Sequence, residues 1–131
     1  MATRQLHCSL VTPEAKVFED DIDFIAIPAH DGEIGILFDR APLVCQLGAG
    51  RMKIRKGTEE QTWFIDAGFA QVVDNRVIVL TQKALRPEDI SRGEAIQALE
   101  QAHKMPAKDD AAARRRARAE SSARARLRMA K

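Results

Sequence analysis

The chain changes pattern near Leu85, and no single periodicity fits both sides of that point. Before it, short alternating runs are punctuated by Gly, Pro and Asp. After it come long stretches of Ala, Arg, Glu and Gln. An all-helical or all-strand fold is excluded, so a β domain over residues 1–85 and a two-helix domain over 86–131 are expected.

In the first part, Leu6, Cys8 and Leu10 alternate with His7, Ser9 and Val11, the period of two that turns one face of a strand to a core. Val17-Phe18 leads into Glu19-Asp20-Asp21, expected as an acidic turn, and Ile22 to Pro28 is expected as the next strand. His30-Asp31-Gly32 signals a turn before Ile34 to Leu37. Gly48-Ala49-Gly50 is expected to link two strands. Met52 and Ile54 then alternate with Arg51, Lys53 and Arg55, and Lys56-Gly57-Thr58 turns the chain back into Trp63 and Ile65. Gly68 is expected to break that run, with Ala70 to Val73 resuming it. Asp74-Asn75 reads as a hairpin turn into Arg76-Val77-Ile78-Val79-Leu80. Eight to ten short strands at this spacing predict an antiparallel sandwich or barrel.

In the second part, Pro87 suits a first helical position, with Glu88 and Asp89 at the positive end of the helix dipole. Ile90, Ile96, Leu99, Ala102 and Met105 form the expected apolar stripe of this helix, and Pro106 ends it. Asp109 or Asp110 can cap a second helix from about Ala111 almost to the end. Its stripe, Ala112, Ala119, Ala123, Leu127 and Ala130, is narrow and small, with Arg116 intruding beside it. So thin a stripe buries little apolar area and predicts weak docking on its own protein, or an external partner.

Charge separates the same two parts. Residues 109–131 hold eight basic and three acidic side chains, a net +5, whereas the whole chain carries only +2. A mildly acidic body therefore bears a basic helix. The longest charge-free stretch, Ala41 to Gly50, is far short of the ~20 apolar residues of a membrane-spanning helix. Met1-Ala2-Thr3-Arg4 lacks the apolar core of a secretory signal. Cys8 and Cys45 lie in apolar alternating stretches and read as small buried hydrophobes in a reducing, cytosolic compartment.

Little in the sequence points to catalysis. His7, His30 and His103 are scattered, and no HExxH, CxxC, GxSxG or Walker-type loop occurs. Gly48-Ala49-Gly50 looks like a fragment of a phosphate loop but has no helix after it. Asp20, Asp21 and Asp23 lack the pattern of a cation loop. No catalytic residue, metal or cofactor is expected, and a binding or regulatory protein is.

Gly32-Glu33-Ile34-Gly35-Ile36-Leu37 followed by Arg40-Ala41-Pro42-Leu43 resembles the signature of the epsilon subunit of bacterial F-type ATP synthase. Val11-Thr12-Pro13, Val17-Phe18-Glu19-Asp20, Gly68-Phe69 and Ala84-Leu85-Arg86-Pro87-Glu88-Asp89-Ile90 support it in order along the chain. The resemblance implies an antiparallel β-sandwich of about ten strands followed by a helical hairpin. It also implies a non-catalytic rotor subunit of a proton-translocating synthase, at the cytoplasmic face of the bacterial inner membrane. The sandwich would grip the gamma subunit and touch the polar loops of the c ring. The hairpin would lie folded, or extend towards the catalytic beta subunits and inhibit ATP hydrolysis.

By the same resemblance, Asp31, Glu33, Arg40 and Pro42 would contact the c ring and gamma. Arg40 stands where the family usually has His, which keeps a cation but removes a titrating role. Arg114, Arg115, Arg116, Arg118, Arg124, Arg126 and Arg128 would meet an acidic loop of the beta subunits, where Arg can pair bidentately with carboxylates. The family's nucleotide motif is degraded, with Ser91 at its Asp position and Glu94 at its Arg position. No regulatory ATP binding is expected there. A different reading of the basic helix is a nucleic-acid arm, which the acidic body and the scarcity of aromatic residues disfavour. A β-sandwich enzyme would need a catalytic constellation that the residues do not supply.

Overall fold

A computed structural model describes residues 4–131, so Met1-Ala2-Thr3 of the leader reading lie outside the described residues. The strands are β1 (Leu6–Val11), β2 (Lys16–Ile22), β3 (Phe24–Ala29), β4 (Gly32–Ile36), β5 (Leu43–Lys56), β6 (Glu59–Val73), β7 (Arg76–Leu80) and β8 (Ala84–Leu85). A 3-10 turn at Pro87–Asp89 leads to α1 (Arg92–His103) and α2 (Asp110–Met129). Strand order is β2-β1-β7-β6-β5-β3-β4, with β8 on β6.

The two expected interruptions are bends inside long strands. β5 pairs with β6 from Leu43↔Val72 to Lys56↔Glu59, straight through Gly48-Ala49-Gly50. Against β3, however, β5 pairs at Ala26↔Lys53 and next at Ala29↔Leu47, so six residues of β5 span three of β3 and the ribbon curves. Gly68 sits at φ 107, where a Cβ would overlap the Leu80 carbonyl oxygen and come within 2.9 Å of Thr81 Cα. Glycine is needed there because the end of β7 crosses directly over it. Gly and small residues that punctuate the sequence therefore fold the sandwich without ending its strands, and eight strands do the work of ten segments.

Three further expectations change. Glu19-Asp20-Asp21 lies inside β2, an edge strand, and not in a turn. Charges there keep an open edge from pairing with another chain. Ile22 closes β2, and Asp23 separates it from β3 by accepting from Gly57 N at 2.6 Å. The pairing is antiparallel except for β1 and β7, which run parallel from His7↔Arg76 to Val11↔Leu80. The hairpin turn at Asp74-Asn75 is as expected, with φ 50 and 62, the left-handed pair that a right-twisted hairpin needs.

Between the layers lie Leu6, Leu10, Ile25, Ile27, Met52 and Ile65, with Cys8 among them. Both cysteines are free. Burial pushes the Cys8 thiol up to about 12, while Cys45 is only half-buried.

The helices also depart in detail. Pro87 opens a 3-10 turn and not α1, because Ser91 restarts the backbone by accepting from Glu94 N at 3.2 Å. Ile90 thus precedes α1, joining Phe64, Ala125 and Ala130 in a second apolar cluster, and Ile96 faces solvent. The stripe that packs is Ala95 and Ala102, against α2. In this structure α2 is docked: it lies on β5 and β6 while α1 packs on its other side. Ala112 and Ala123 of the expected stripe are buried, and Ser122 and Ala125 are buried as well. Small side chains on two faces let the helix approach both neighbours closely, which a single-stripe reading misses.

Candidate functional site

Asp31 and Glu33 lie at one end of β4 and Arg40 and Pro42 beyond the other, so the structure divides them into two groups. All four are exposed. The first group is a tight turn in which His30 N donates to Gln46 O at 2.8 Å. Gly35 lies beneath the Phe24 ring, where a Cβ would approach Cε1 to 3.1 Å, and Arg55 stacks over the same ring at 4.9 Å. The glycine of the signature thus leaves room for the Phe24 ring on the outer face of β4, the same face on which Glu33 stands exposed.

The second group belongs to a loop clamped from across the sheet. Asp39 N donates to Asn75 Oδ1 at 2.6 Å and Asn75 Nδ2 donates to Asp39 Oδ1 at 3.2 Å. Asp39 has φ 65, an αL conformation that this short polar residue tolerates. The loop therefore moves with the β6–β7 hairpin.

Beside that loop is a surface the sequence reading did not single out. Val44, Phe69, Ile78 and Leu80 are 69%, 56%, 39% and 50% exposed, and they occupy adjacent strands on one outer face. Phe69 is paired with Leu80, and Gln71 links Val44 to Ile78. Val44 is two residues from Pro42, so the strip begins at the clamped loop. Its signal was the unbroken apolar run of residues 77–80, too hydrophobic for a strand with one wet face.

The seven arginines do not form one face. Arg115 and Arg124 point into solvent, but Arg126 is half-buried with its Nε unpaired, and Arg116 lies 3.9 Å from Glu120. Arg114 and Arg118 are exposed as well, at the edge of the gap between α2 and the sandwich, and Arg128, also exposed, borders a groove with Glu33 and Arg51. Two contacts hold α2 in place: Ser122 Oγ donates to Asp66 Oδ2 at 2.9 Å, and His103 of α1 meets Glu120 at 2.7 Å. Arg92 Nη2 also donates to the Ala130 carbonyl at 3.4 Å. Ser91 and Glu94, at the degraded nucleotide motif, cap α1.

At the opposite edge, His7 lies 2.8 Å from Glu19 and 2.9 Å from Asp21. Hydrogen bonds to Asp21 and then Glu19 raise the His7 pKa, and His7 followed by Lys16 holds Glu19 down to about 2. Asp20 pairs with Lys56 at 3.0 Å and Asp23 with Gly57, so the three aspartates have separate partners. No described helix is long and apolar enough to cross a membrane.

A sandwich with an apolar outer strip, two polar loops and a docked basic hairpin defines an assembly subunit, a protein that acts through its contacts. Residues 5–87 match the family model of the ATP synthase delta/epsilon chain β-sandwich domain. The chain is 35% identical to the ATP synthase epsilon chain of Rubrobacter xylanophilus over 128 residues, 95% of this chain and 87% of that one. It is 38% identical to that of Rhodopirellula baltica over 101 residues, 77% of this chain and 79% of the relative. A chain in the Euglena gracilis mitochondrial ATP synthase OSCP/F1/c-ring structure superposes with a TM-score of 0.79 at 25% identity, covering 93% of this chain and 79% of that one. A chain of the Tetrahymena thermophila central stalk/c-ring structure shares the fold, with a TM-score of 0.75 at 16% identity.

The chain belongs to the ATP synthase epsilon chain family, a non-catalytic subunit of the rotary complex. It is accordingly part of a membrane-associated assembly.

Proposed function

We propose that this chain anchors the foot of the rotor by laying the Val44–Phe69–Ile78–Leu80 strip on the gamma subunit, with Arg40 and Pro42 at its rim. The observation that carries this reading is the strip itself: four large apolar side chains on one outer face, in a family whose members work inside a multi-subunit assembly. Asp31 and Glu33, at the first end of β4, offer carboxylates to the polar loops of the c ring. The complex sits at the cytoplasmic face of the bacterial inner membrane, and this chain meets the membrane only through it.

The arginines contribute to inhibition when α2 leaves the sandwich. In the docked arrangement Arg126 is half-buried and Arg116 lies beside Glu120, so an acidic loop of the beta subunits can engage all seven together only after undocking. Family membership displaces the nucleic-acid reading of the basic helix. The test adds the full chain, wild type or F69E/L80E, to a cognate catalytic complex lacking epsilon. The wild type should co-elute with gamma, and F69E/L80E should not, while retaining its circular dichroism. Equal co-elution would overturn the assignment of the strip. ATP hydrolysis on the same samples then reports the brake, which R115E/R124E should weaken without loss of co-elution.

A further inference from the structure

We propose that the unassembled chain pairs with a second copy of itself along the open edge of β4, Glu33 of each copy meeting the partner's Arg55. The two edges of the sheet are built differently. β2 carries Lys16, Glu19, Asp20 and Asp21, whereas β4 pairs only with β3, without a bulge, and Glu33 is its one charge. An edge strand with no lysine, proline or bulge is a ready template for another strand.

The open main-chain groups on this edge belong to Glu33 and Gly35. His30 N donates to Gln46 O on the β5 side of β3. Backbone N–H groups alternate in direction along a strand, so Ala29 and Ile27 turn theirs to β4. Pro28, which has no N–H, stands where the β3–β5 register is interrupted. Opposite Ala29, Ile27 and Ile25, the main-chain groups of Gly32, Ile34 and Ile36 are taken up by β3. Those of Glu33 and Gly35 therefore point away from the sheet.

A second β4, antiparallel about a two-fold axis at Ile34, fits these groups. Glu33 then lies opposite the partner's Gly35, and each such pair exchanges both its N–H···O bonds. The Ile34 side chains of the two copies meet at the non-bonded position between them, where side chains come closest. No like charges face each other. Gly35 places no side chain beside the Phe24 ring, over which the Arg55 guanidinium lies at 4.9 Å. The partner's Glu33 thus reaches a gap bounded by that ring and that cation. Both Glu33 and Arg55 are exposed, and among the described residues neither takes part in a salt bridge. The two-fold makes the contact twice, because an isologous interface uses one patch on both copies. Glu33 is also the carboxylate assigned to the c ring, so the pair gives way when the rotor takes the chain up; that last step alone rests on the rotor reading.

Sedimentation equilibrium of the isolated full chain is the test. So short a contact falls in the weak class of interfaces, so the dimer should be half-formed at about 0.1 mM, and a chain still monomeric at about 1 mM would overturn the proposal. E33R and R55E each set like charges against each other across the axis, and each should weaken dimerisation about tenfold or more. Mixed together, the two variants are complementary in both contacts and should form a heterodimer as readily as the wild type dimerises. Both substitutions are at exposed positions, and circular dichroism reports that the fold is kept. F69E/L80E should dimerise like the wild type. A dimer that survives E33R and R55E, a mixture that stays monomeric, or a dimer lost in F69E/L80E would each overturn the pairing. Amide exchange gives a second reading: Glu33 and Gly35 should slow as concentration rises, and constant rates there would count equally against it. No gamma subunit is present in these samples, so the outcome is independent of the rotor reading.

Discussion

Replacing Ser122 by alanine should loosen α2 without loosening the sandwich. Ser122 Oγ donates to Asp66 Oδ2 at 2.9 Å and is the one side-chain hydrogen bond, among the described residues, that ties α2 directly to a strand. A hydrogen bond to a charged acceptor contributes about 1.5–3 kcal/mol. Asp66 is half-exposed, so water recovers part of the loss and the lower figure applies. About 1.4 kcal/mol is tenfold in an equilibrium constant, so the undocked population should rise roughly tenfold. The hydroxyl leaves a space too small to rearrange the neighbouring Ala123 and Ala125. Hydrogen exchange is the assay: α2 amides that exchange by undocking should speed up about tenfold, and those of β5 and β6 should not. In a D66A background the same substitution should add nothing further, since the partner is gone. Unchanged α2 exchange would refute the latch. Equal acceleration in β5 and β6 would also refute it, because the bond would then be supporting the whole fold. On the proposed inhibitory role of an undocked α2, S122A should inhibit hydrolysis more than wild type in the assembled complex.

Other outcomes follow from single contacts. Gly68→Ala places a Cβ onto the Leu80 carbonyl at a φ of 107, so strain and lost ladder bonds should cost about 3 kcal/mol or more. Gly57→Ala, at φ 61 with open space around it, should cost about 1 kcal/mol. Urea unfolding followed by Trp63 fluorescence compares the two, and equal midpoints would count against the crossing at Gly68. Asp109→Ala removes an N-cap that accepts from Ala112 N at 2.8 Å, and should cost about 1 kcal/mol, read as faster exchange in the first turn of α2. The His7 clasp has a pH window. A raised His7 pKa gives stability that is complete below its ordinary 6.5 and lost as pH rises through the folded value. A Glu19 pKa lowered to about 2 gives stability that is present above its ordinary 4.5 and lost as pH falls. The β1–β2 edge should therefore be firmest between about pH 4.5 and 6.5, and Glu19→Gln should lower the His7 titration midpoint in an NMR titration.

The β part was legible because alternation and turn chemistry are local. Leu6, Cys8 and Leu10, Met52 and Ile54, and the Asp74-Asn75 turn all stand where their neighbours in sequence put them. What local reading misjudged were residues governed by distant backbone. Gly48 and Gly68 signal interruption to any short window, and only the register of β5 against β3 and the Leu80 backbone beside Gly68 show that the strands bend and continue. Ile96, which faces solvent, and the burial of Ser122 and Ala125 beside the expected alanines escaped local reading for a related reason. A helix packed between two partners needs two faces of small side chains, which no single apolar stripe reveals. Of the candidate contact residues, exposure was readable at Asp31, Glu33, Arg40 and Pro42, though Glu33 stands in β4 itself and not in the turn. That the two pairs lie at opposite ends of β4 was not, and the apolar strip was visible only as excess hydrophobicity in β7.

The parallel pairing of β1 with β7 has a consequence for how the chain is made. His7 finds its partner at Arg76, so the first strand to leave the ribosome must wait for almost the last. Until then β1 and β2 form a hairpin with one bare flank, and loop closure over some seventy residues must be completed before that flank is covered. The charges of β2 and its clasp to His7 guard the other flank throughout. The surface on which α2 settles is made by β5 and β6, both synthesised before it, so vectorial synthesis delivers the helical hairpin after its platform.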